Sequence, residues 1–557
     1  MKSTVKKLAK LNEKITAARG NQLRCRSWRQ EAILRLLENN LENAENQQDL
    51  VVYAAFAKAA RNWEAYEKIV NVLLDLRDDQ TLVVQSGKPI GIFQTHKFAP
   101  AVLMATGNIV GRWATPENFY DLAARGLTIW GGLTAAAWQY IGSQGVIQGT
   151  YEILAAVARE HFNGSLAGKF VLSAGMGGMG GAQPLAGTMA GAAILVVEVD
   201  PERIHKRIKA GFCQHITYLL DDALDIIKRH QESKLAVSVA LVGNAAEVYP
   251  ELVRRGITPD VVTDQTSAHD TLHGYVPTGI PLEDLSRFRQ NNAGAVQELA
   301  RASIAREVSA MLTFKERGAV VFDNGNNIRS QADEHGLQNA FSIDIFTERY
   351  LRPLFCRGIG PFRWIALTGN PEDMSKIDEL VLDLFPENQQ AVNWIKLARK
   401  HIKFEGLPAR ICWLGHGERT KLALAVNRAV ADGQISGPIA FTRDHLDGAA
   451  MTHPKIGTEA MLDGSDAIAD WPLLNAMLNV ASMADLVAIH SGGGGYTGYM
   501  TSAGATIIAN GSTEAEIRLS TALTADTALG VLRFADAGYK AAKDTAQAFN
   551  LGLPKSK

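Results

Sequence analysis

The stretch from Phe170 to Gly191, FVLSAGMGGMGGAQPLAGTMAG, gathers glycines at 175, 177, 178, 180 and 181 between an apolar run and a helix-like segment. KFVLSAG (169–175) reads as a strand, AQPLAGTMAGA (182–192) as a helix and ILVVEVD (194–200) as the next strand. Gly175, Gly177 and Gly180 fall in the spacing G-x-G-x-x-G. In a strand–turn–helix the first glycine takes the tight turn and the second lets a pyrophosphate approach the backbone. The third lets helix pack on strand. The free N–H groups of the helix start then face phosphate. Glu198 closes the following strand, where a carboxylate accepts hydrogen bonds from ribose hydroxyls and favours NAD over NADP. The pattern predicts a dinucleotide-binding βαβ unit; the rival reading is a tight turn with close packing.

The same rhythm continues outward. PERIHKRIKAG and DDALDIIKRHQESK read as helices, LAVSVALVG (235–243) as a strand, AAEVYPELVRRG as a helix and PDVVTDQT as a strand. A long helix, AVQELARASIAREVSAMLTFKERG, and the strand-like AVVFDNGNN follow. Apolar strands alternating with helices predict an α/β fold with a parallel sheet covered on both faces. Before this region, WRQEAILRLLENNLE (28–42) and NWEAYEKIVNVLLDL (62–76) have helical spacing, while TLVVQSG (81–87) and PIGIFQT (89–95) look like short strands. Beyond about Ser342, ARICWLGHG (409–417), PIAFTRD (438–444), DLVAIHSGGGGYTG (485–498) and TSAGATIIANG (501–511) are strands or loops with polar or glycine-rich tips. Without repeats or low-complexity linkers, this pattern predicts a Rossmann-like domain at 140–347 inserted into a mixed α/β core domain made from 1–139 and 348–557.

Composition narrows the function classes. A chain of 557 residues exceeds a single core, and 46% hydrophobic with 21% charged residues fits packed globular structure. With 57 basic and 58 acidic residues the net charge is -1, which gives no electrostatic footprint for nucleic acid or anionic membrane. The basic start lacks the apolar core of a secretory signal, and no apolar run approaches the roughly 20 residues of a membrane helix. Cys25, Cys213, Cys356 and Cys412 are scattered, suggesting neither a disulfide framework nor a zinc site, and a cytoplasmic location is expected.

Ligands of open α/β sheets bind beyond the carboxyl ends of the strands, so GNAA (243–246) and DQTSAHD (264–270) offer Asn244, Gln265, Thr266, Ser267 and His269 as cofactor contacts. Helix capping is the alternative for any one of them. QSGKP (85–89) lacks the rest of a phosphate loop. HDTLH has the i, i+4 spacing of a helical metal pair, but Gly274 and Pro277 argue against a helix and no third ligand follows, so no metal is expected. GGGG (492–495) after LVAIH brings backbone close to a ligand.

SAGMGGMGGAQPLAG, YIGSQGVIQGTYE, LVGNAAE, TDQTSAHD, FCRGIGPFRWIALTG, FEGLPARICWLGHGER, RDHLD and GSDAIADWPLLNA together resemble urocanase, from about Arg19 to Pro554. The resemblance implies a hydratase with tightly bound NAD+ acting as an electrophile. The imidazole ring of urocanate adds to the nicotinamide in a transient adduct, water adds to the polarised substrate, and NAD+ is regenerated. It also implies a homodimer acting on a small imidazole-acrylate. An NAD-dependent dehydrogenase and a non-catalytic NAD-binding protein are the rival classes.

By motif match, Gly178, Met179 and Gly180 form the phosphate turn, and Glu198 and Arg203 follow the second strand. Asn244, Ala245, Gln265, Thr266, Ser267, Ala268, His269, Tyr275 and Val276 are further cofactor contacts, and Gly494 belongs to the loop near the nicotinamide. Cys412 stands at the family's active-site cysteine, with a structural thiol as the alternative. Arg363 is expected to clamp the substrate carboxylate with its planar fork. Asp444 and His445 are expected to move protons near neutral pH. The alternative for each of these three is a solvent-side ion pair or a buried hydrogen-bonded group.

The chain departs from the family pattern at Tyr53-Ala54-Ala55 (usually Tyr-Gly-Gly), Gly132 (Gln), Asn324 (Tyr) and Ser491 (His). Tyr53, Ala54, Gly132, Asn324 and Ser491 are expected beside Arg363 on the substrate side. Smaller side chains there predict a pocket enlarged for a ring-substituted urocanate such as thiourocanate or its S-methyl form. Neutral drift with local compensation is the alternative.

Overall fold

The computed structural model describes residues 14–54, 56–443 and 445–553. It divides into two compact units. The first is built from residues up to Gly145, Pro353–Pro454 and the chain from Ala460 onward; the second is Val146–Arg352 with Lys455–Glu459.

The N-terminal segment of the first unit supplies β1 (Val51–Tyr53), β2 (Ala57–Lys58), β3 (Gln80–Gln85), β4 (Lys88–Gln94) and β5 (Val102–Thr106). The second unit carries β6 (Phe170–Ala174), β7 (Ala193–Glu198), β8 (His215–Thr217), β9 (Val237–Val242), β10 (Val261–Val262), β11 (Val320–Asp323) and β12 (Asp344–Ile345). The C-terminal segment returns to the first unit with β13 (Gly360–Ala366), β14 (Ala409–Leu414), β15 (Ile439–Arg443), β16 (Met451–Thr452), β17 (Leu486–Ser491) and β18 (Thr501–Ala509).

The second unit is a seven-stranded sheet in the order β12-β11-β10-β6-β7-β9-β8, and every ladder in it is parallel. Its central strands are apolar and buried along their whole length, as a sheet covered on both faces requires. The chain runs outward from β6 in one direction and then resumes at β10 on the other side of it. The switch point therefore lies between the carboxyl ends of β6 and β10, where ligands of doubly wound sheets bind. Short polar residues start the helices: Asp200 accepts from Glu202 N–H at 2.9 Å and Asn292 from Ala295 N–H at 3.2 Å. Of the expected strand PDVVTDQT, the regular part is Val261–Val262; beyond it Thr263 and Gln265 still donate backbone N–H to the Leu172 and Ala174 carbonyls of β6, at 3.0 and 2.9 Å, and Asp264 accepts from the Thr266 N–H.

The first unit closes one mixed sheet from both ends of the chain, in the order β14-β13-β15-β18-β17-β5-β3-β4, with β16 beside β18. β5 pairs in parallel with β17 and β3, and the other ladders are antiparallel. Register sets which side chains share a face. Arg363 is opposite Thr442, Thr442 opposite Thr506, and Ser502 opposite His490, so these lie on one face. Phe362, Cys412 and Arg443 lie on the other. There Arg443 is buried and paired with Asp526 at 2.9 Å, a buried charge held by its counter-ion. The helix Trp28–Glu42 is almost wholly buried and pairs its charges in the same way, Arg35 with Glu31 at 2.8 Å.

Candidate active site and nucleotide cleft

At the switch point of the second unit the glycine turn borders an open cleft. The ends of four strands line it: Gly175 and Gly177 after β6, Glu198 at the end of β7, Asn244 and Ala245 after β9, and Gln265, Thr266 and Ser267 after β10. Tyr275 and Val276 close it. The three motif glycines have separate reasons to be glycine. Gly175 has φ +85°, and a Cβ there would sit 2.5 Å from the Gln265 carbonyl oxygen. A Cβ on Gly180 would meet the Gly175 oxygen at 2.2 Å. A Cβ on Gly177 would meet nothing within 4 Å. The first and third positions are closed by packing, whereas the second faces open space at the cleft. That is the arrangement in which a pyrophosphate reaches the backbone, and the residues fit a dinucleotide.

Other side chains brace this turn. Glu198 is buried, its Oε2 accepts from Met176 N–H at 2.6 Å, and its Oε1 lies 3.6 Å from Arg203. Arg207, which the sequence did not single out, is buried and donates to the Gly177 carbonyl at 2.8 Å. Asn244 caps its helix, accepting from Ala246 N–H at 3.0 Å, while its amide donates to the Val276 carbonyl at 2.9 Å. Capping and cleft lining therefore coincide in one residue. Gln265 donates to the Asn324 carbonyl at 2.7 Å. Gly178 and the exposed Met179 lie on the outer part of the turn, and Ala268 is fully buried behind it. His269 is buried in a stretch of turns rather than a helix, and burial pushes its imidazole down to about 4, so it is neutral at pH 7. Among the described residues no group of three or more His, Cys, Asp or Glu could hold a metal.

A second polar cluster belongs to the first unit. Arg363 from β13 is buried and donates to the Gln139 carbonyl at 3.2 Å. Burial pushes its guanidinium down to about 10, which still leaves it a cation at pH 7. A Cβ on Gly145 would stand 3.2 Å from its Nη1, so glycine is what lets the fork lie against the chain there. The Gln139 amide donates to Thr506 Oγ1 at 3.0 Å and the Ala505 carbonyl at 3.1 Å, tying the cluster to β18. The Tyr53 hydroxyl is 3.0 Å from Thr134 Oγ1, its ring centroid is 4.9 Å from that of Tyr140, and burial raises its phenol.

His445 and His490 are both fully buried. His445 Nδ1 lies 3.3 Å from Ser502 Oγ. Burial drives His445 well below its ordinary value and His490 down to about 3. Both imidazoles are thus neutral at pH 7. A neutral imidazole can both donate and accept a hydrogen bond. The segment Trp130–Gly132 joins the parts: a Cβ on Gly494 would contact the Trp130 ring at 3.2 Å, one on Gly131 would stand 3.4 Å from the His490 ring, and one on Gly132 would stand 3.5 Å from the Tyr53 ring.

Several expected site residues stand differently. Cys412 is fully buried, and register points it to the sheet face opposite Arg363. Asp444 lies outside the described residues, as does Ala55. Asn324 belongs to the second unit, where it borders a small pocket with Ser173, Gln183 and Thr263. Ala54 has φ +54°, a left-handed conformation that explains a preference for glycine in this place. At Gly132 the expected extra room is absent. Its φ is +51°, and a Cβ would collide with the Ala57 Cβ at 2.2 Å, so Ala57 occupies the space that a side chain would take. Ser491 ends β17, largely buried.

Comparison with known proteins gives these clusters their context. The urocanase N-terminal domain matches residues 15–139, the urocanase Rossmann-like domain 142–350 and the urocanase C-terminal domain 353–548. The chain belongs to the urocanase family. A relative from Variovorax sp. (strain JCM 16519 / RA8), described as S-methyl thiourocanate hydratase, is 52% identical over 539 residues, covering 97% of each chain. This urocanase-family member is a hydratase, a hydro-lyase. Among solved structures, L-tryptophan dehydrogenase from Nostoc punctiforme matches with 12% identity over 43% of this chain and 69% of that one. Its TM-score of 0.15 is too low to bear on this urocanase-family fold. Among the described residues no helix is long and apolar enough to cross a membrane.

Proposed function

We propose that this hydratase adds water to a ring-substituted urocanate, S-methyl thiourocanate above all, with NAD+ held in the cleft of the second unit. The observation that carries the substrate is the identity of 52% with an S-methyl thiourocanate hydratase, sustained over 97% of both chains. The cofactor is supported by the Rossmann-like domain and by the open face of Gly177 at the strand switch point.

Gly177, Gly178 and Met179 would hold the pyrophosphate with their backbone, Glu198 the adenosine ribose, and Gln265, Thr266 and Ser267 the remaining sugar and phosphate groups. When bound, the oxidised nicotinamide would supply an electron-poor ring able to draw charge from an electron-rich heteroaromatic acid and so open it to attack by water. The chain's own groups then have distinct work. Arg363 binds and orients the substrate carboxylate, since a buried guanidinium fork gains two charge-assisted bonds from it. Neutral His445 and His490 offer hydrogen bonds to the substrate ring without adding positive charge beside a ring that must give up electrons. Burial keeps bulk water from Arg363 and the two imidazoles. Asp444 is assigned proton transfer and Cys412 a structural role. A cytoplasmic homodimer is proposed from the family alone.

The test is turnover of urocanate, thiourocanate and S-methyl thiourocanate by the purified chain, followed in each substrate's conjugated absorbance band. A preference of about tenfold or more for the S-methyl compound is expected, the size of effect that one methyl-sized group makes in a shaped pocket. Preference for plain urocanate overturns the substrate assignment. Net growth of the NADH band during turnover replaces the hydratase reading with a dehydrogenase.

A further inference from the structure

Behind the nucleotide cleft, two carboxyls are buried together. Asp264 follows β10 and Glu307 sits midway along the helix Ala293–Glu316; both are fully inaccessible. Among the described residues neither has an ion pair with a base. Asp264 Oδ2 accepts from Thr266 N–H at 2.9 Å, from Thr266 Oγ1–H at 2.8 Å and from the Asn326 amide. Glu307 Oε2 accepts from the Tyr275 hydroxyl at 2.9 Å. The two carboxyls lie close enough to interact, and their remaining oxygens, Asp264 Oδ1 and Glu307 Oε1, are buried with no ordinary donor, a need that one proton shared between them would meet.

Ionised carboxylates only accept, so a hydrogen bond between two of them requires a proton. Its place follows from the donors. Three N–H or O–H groups converge on Asp264, which favours its charged form; one reaches Glu307. The other titratable groups against the pair are the phenols of Tyr249 and Tyr275, both held protonated by burial beside these acids. Thr266 and Tyr275 both line the cleft, and each is fixed by one member of the pair.

We infer that Glu307 carries a proton which it donates to Asp264, and that this shared-proton pair is a positioning device for the nucleotide cleft, holding Thr266 through Asp264 and Tyr275 through Glu307. The inference rests on the cleft taking a dinucleotide. It names two positioning residues, not catalytic ones. Burial and mutual repulsion hold the Glu307 carboxyl well above its ordinary range, and burial pushes the Asp264 carboxyl up to about 6. The folded chain therefore binds more protons here than the unfolded chain at neutral pH. The pair's contribution to stability is full below the ordinary carboxyl value of about 4 and is lost as pH rises through the raised folded values.

Glu307→Gln separates the proton from the hydrogen bonds. The amide N–H can donate to Asp264 and the amide oxygen can accept from Tyr275, but nothing titrates. Purified wild type, Glu307→Gln and Glu307→Ala would be unfolded and the released dinucleotide quantified after incubation between pH 6 and pH 10, with infrared spectra recorded over the protonated-carboxyl band. Wild type should release its dinucleotide at neutral pH and retain progressively less after alkaline incubation. Glu307→Gln should match wild type at neutral pH, hold its content to higher pH and lack one protonated-carboxyl band. Glu307→Ala should retain at least tenfold less at every pH. If Glu307→Ala does not fold, the comparison of wild type with Glu307→Gln decides alone. An unchanged carboxyl band in Glu307→Gln, or cofactor loss in it as severe as in Glu307→Ala, overturns the pair. A wild type that releases no dinucleotide overturns the cofactor reading and the positioning role with it, while the band still reports whether the proton is shared.

Discussion

His445 and His490 stack face to face in the first unit, with ring centroids 5.1 Å apart and planes 11° from parallel. The contact depends on Gly504, because a Cβ there would stand 2.2 Å from His445 Nε2. Gly504 pairs with Ala488 two positions from His490, so one small residue on β18 admits a ring that enters from beyond β15. Burial favours the neutral form of both rings, which leaves the stacked pair without charge repulsion.

That neutrality has a sign in solution. His490 falls to about 3 when folded, against an ordinary value near 6.5. The unfolded chain therefore takes up a proton that the folded chain refuses once pH drops below the ordinary value. Stability from keeping His490 neutral is present above about pH 6.5 and is lost as pH falls. At pH 5 the single group accounts for about 2 kcal/mol. Replacing it, as in His490→Gln, should narrow the difference in Tm between pH 7.5 and pH 5, measured by calorimetry. An unchanged difference would show that His490 is not the proton-excluding group.

Gly504→Ala should displace the His445 ring. Overpacking at such a site costs about 1–3 kcal/mol. Turnover should fall by more than Tm alone explains, because the ring is moved rather than removed. A variant with wild-type kinetics and wild-type Tm would mean that His445 has another resting place.

Arg363→Lys should keep the charge but lose the planar fork. KM for the acid substrate should rise about tenfold or more, since one bond of a bidentate charge-assisted pair is worth roughly 1.5–3 kcal/mol. Methyl-ester substrates, which lack the carboxylate, should lose little between wild type and variant. Steady-state kinetics on acid and ester together separate carboxylate binding from general damage to the cluster.

The second unit was legible because its signals are local. FVLSA and AILVVE are continuous apolar runs, the glycine turn lies between them, and the structure gives strands at Phe170–Ala174 and Ala193–Glu198. The first unit's cluster was less so. Tyr53, Trp130, Gln139, Arg363, His445 and His490 converge through sheet pairing between distant segments, and no periodicity links them. Gly360–Ala366 gave no clear strand signal because Arg363 interrupts its apolar pattern. The interruption is a buried cation in an otherwise apolar strand, which is the feature on which the proposed carboxylate clamp rests. Arg207 was missed for a related reason. It lies in PERIHKRIKAG among exposed basic residues, and only the fold shows that it turns inward to the Gly177 carbonyl. Family resemblance supplied Arg363 and His445, but not His490 or the Asp264–Glu307 pair.

The glycine turn offers the sharpest separation between fold and ligand. Gly177 and Gly180 belong to one motif, neither has a positive φ, and both would tolerate alanine on backbone grounds. Their surroundings differ. A Cβ on Gly180 drives into the Gly175 carbonyl at 2.2 Å, where backbone must move, so Gly180→Ala should lower Tm and destabilise by about 1–3 kcal/mol. A Cβ on Gly177 meets no protein atom within 4 Å. Gly177→Ala should therefore leave the stability of the cofactor-free protein within about 0.5 kcal/mol of wild type, the usual range for a substitution without contacts. Its methyl group nevertheless occupies the space where a pyrophosphate approaches the backbone. Dinucleotide affinity, measured by calorimetric titration of cofactor-free protein, should fall at least tenfold. If Gly177→Ala binds dinucleotide as wild type does, the open face at Gly177 is not where the phosphates lie. The ligand would then have to reach the strand ends from the β9 and β10 side alone.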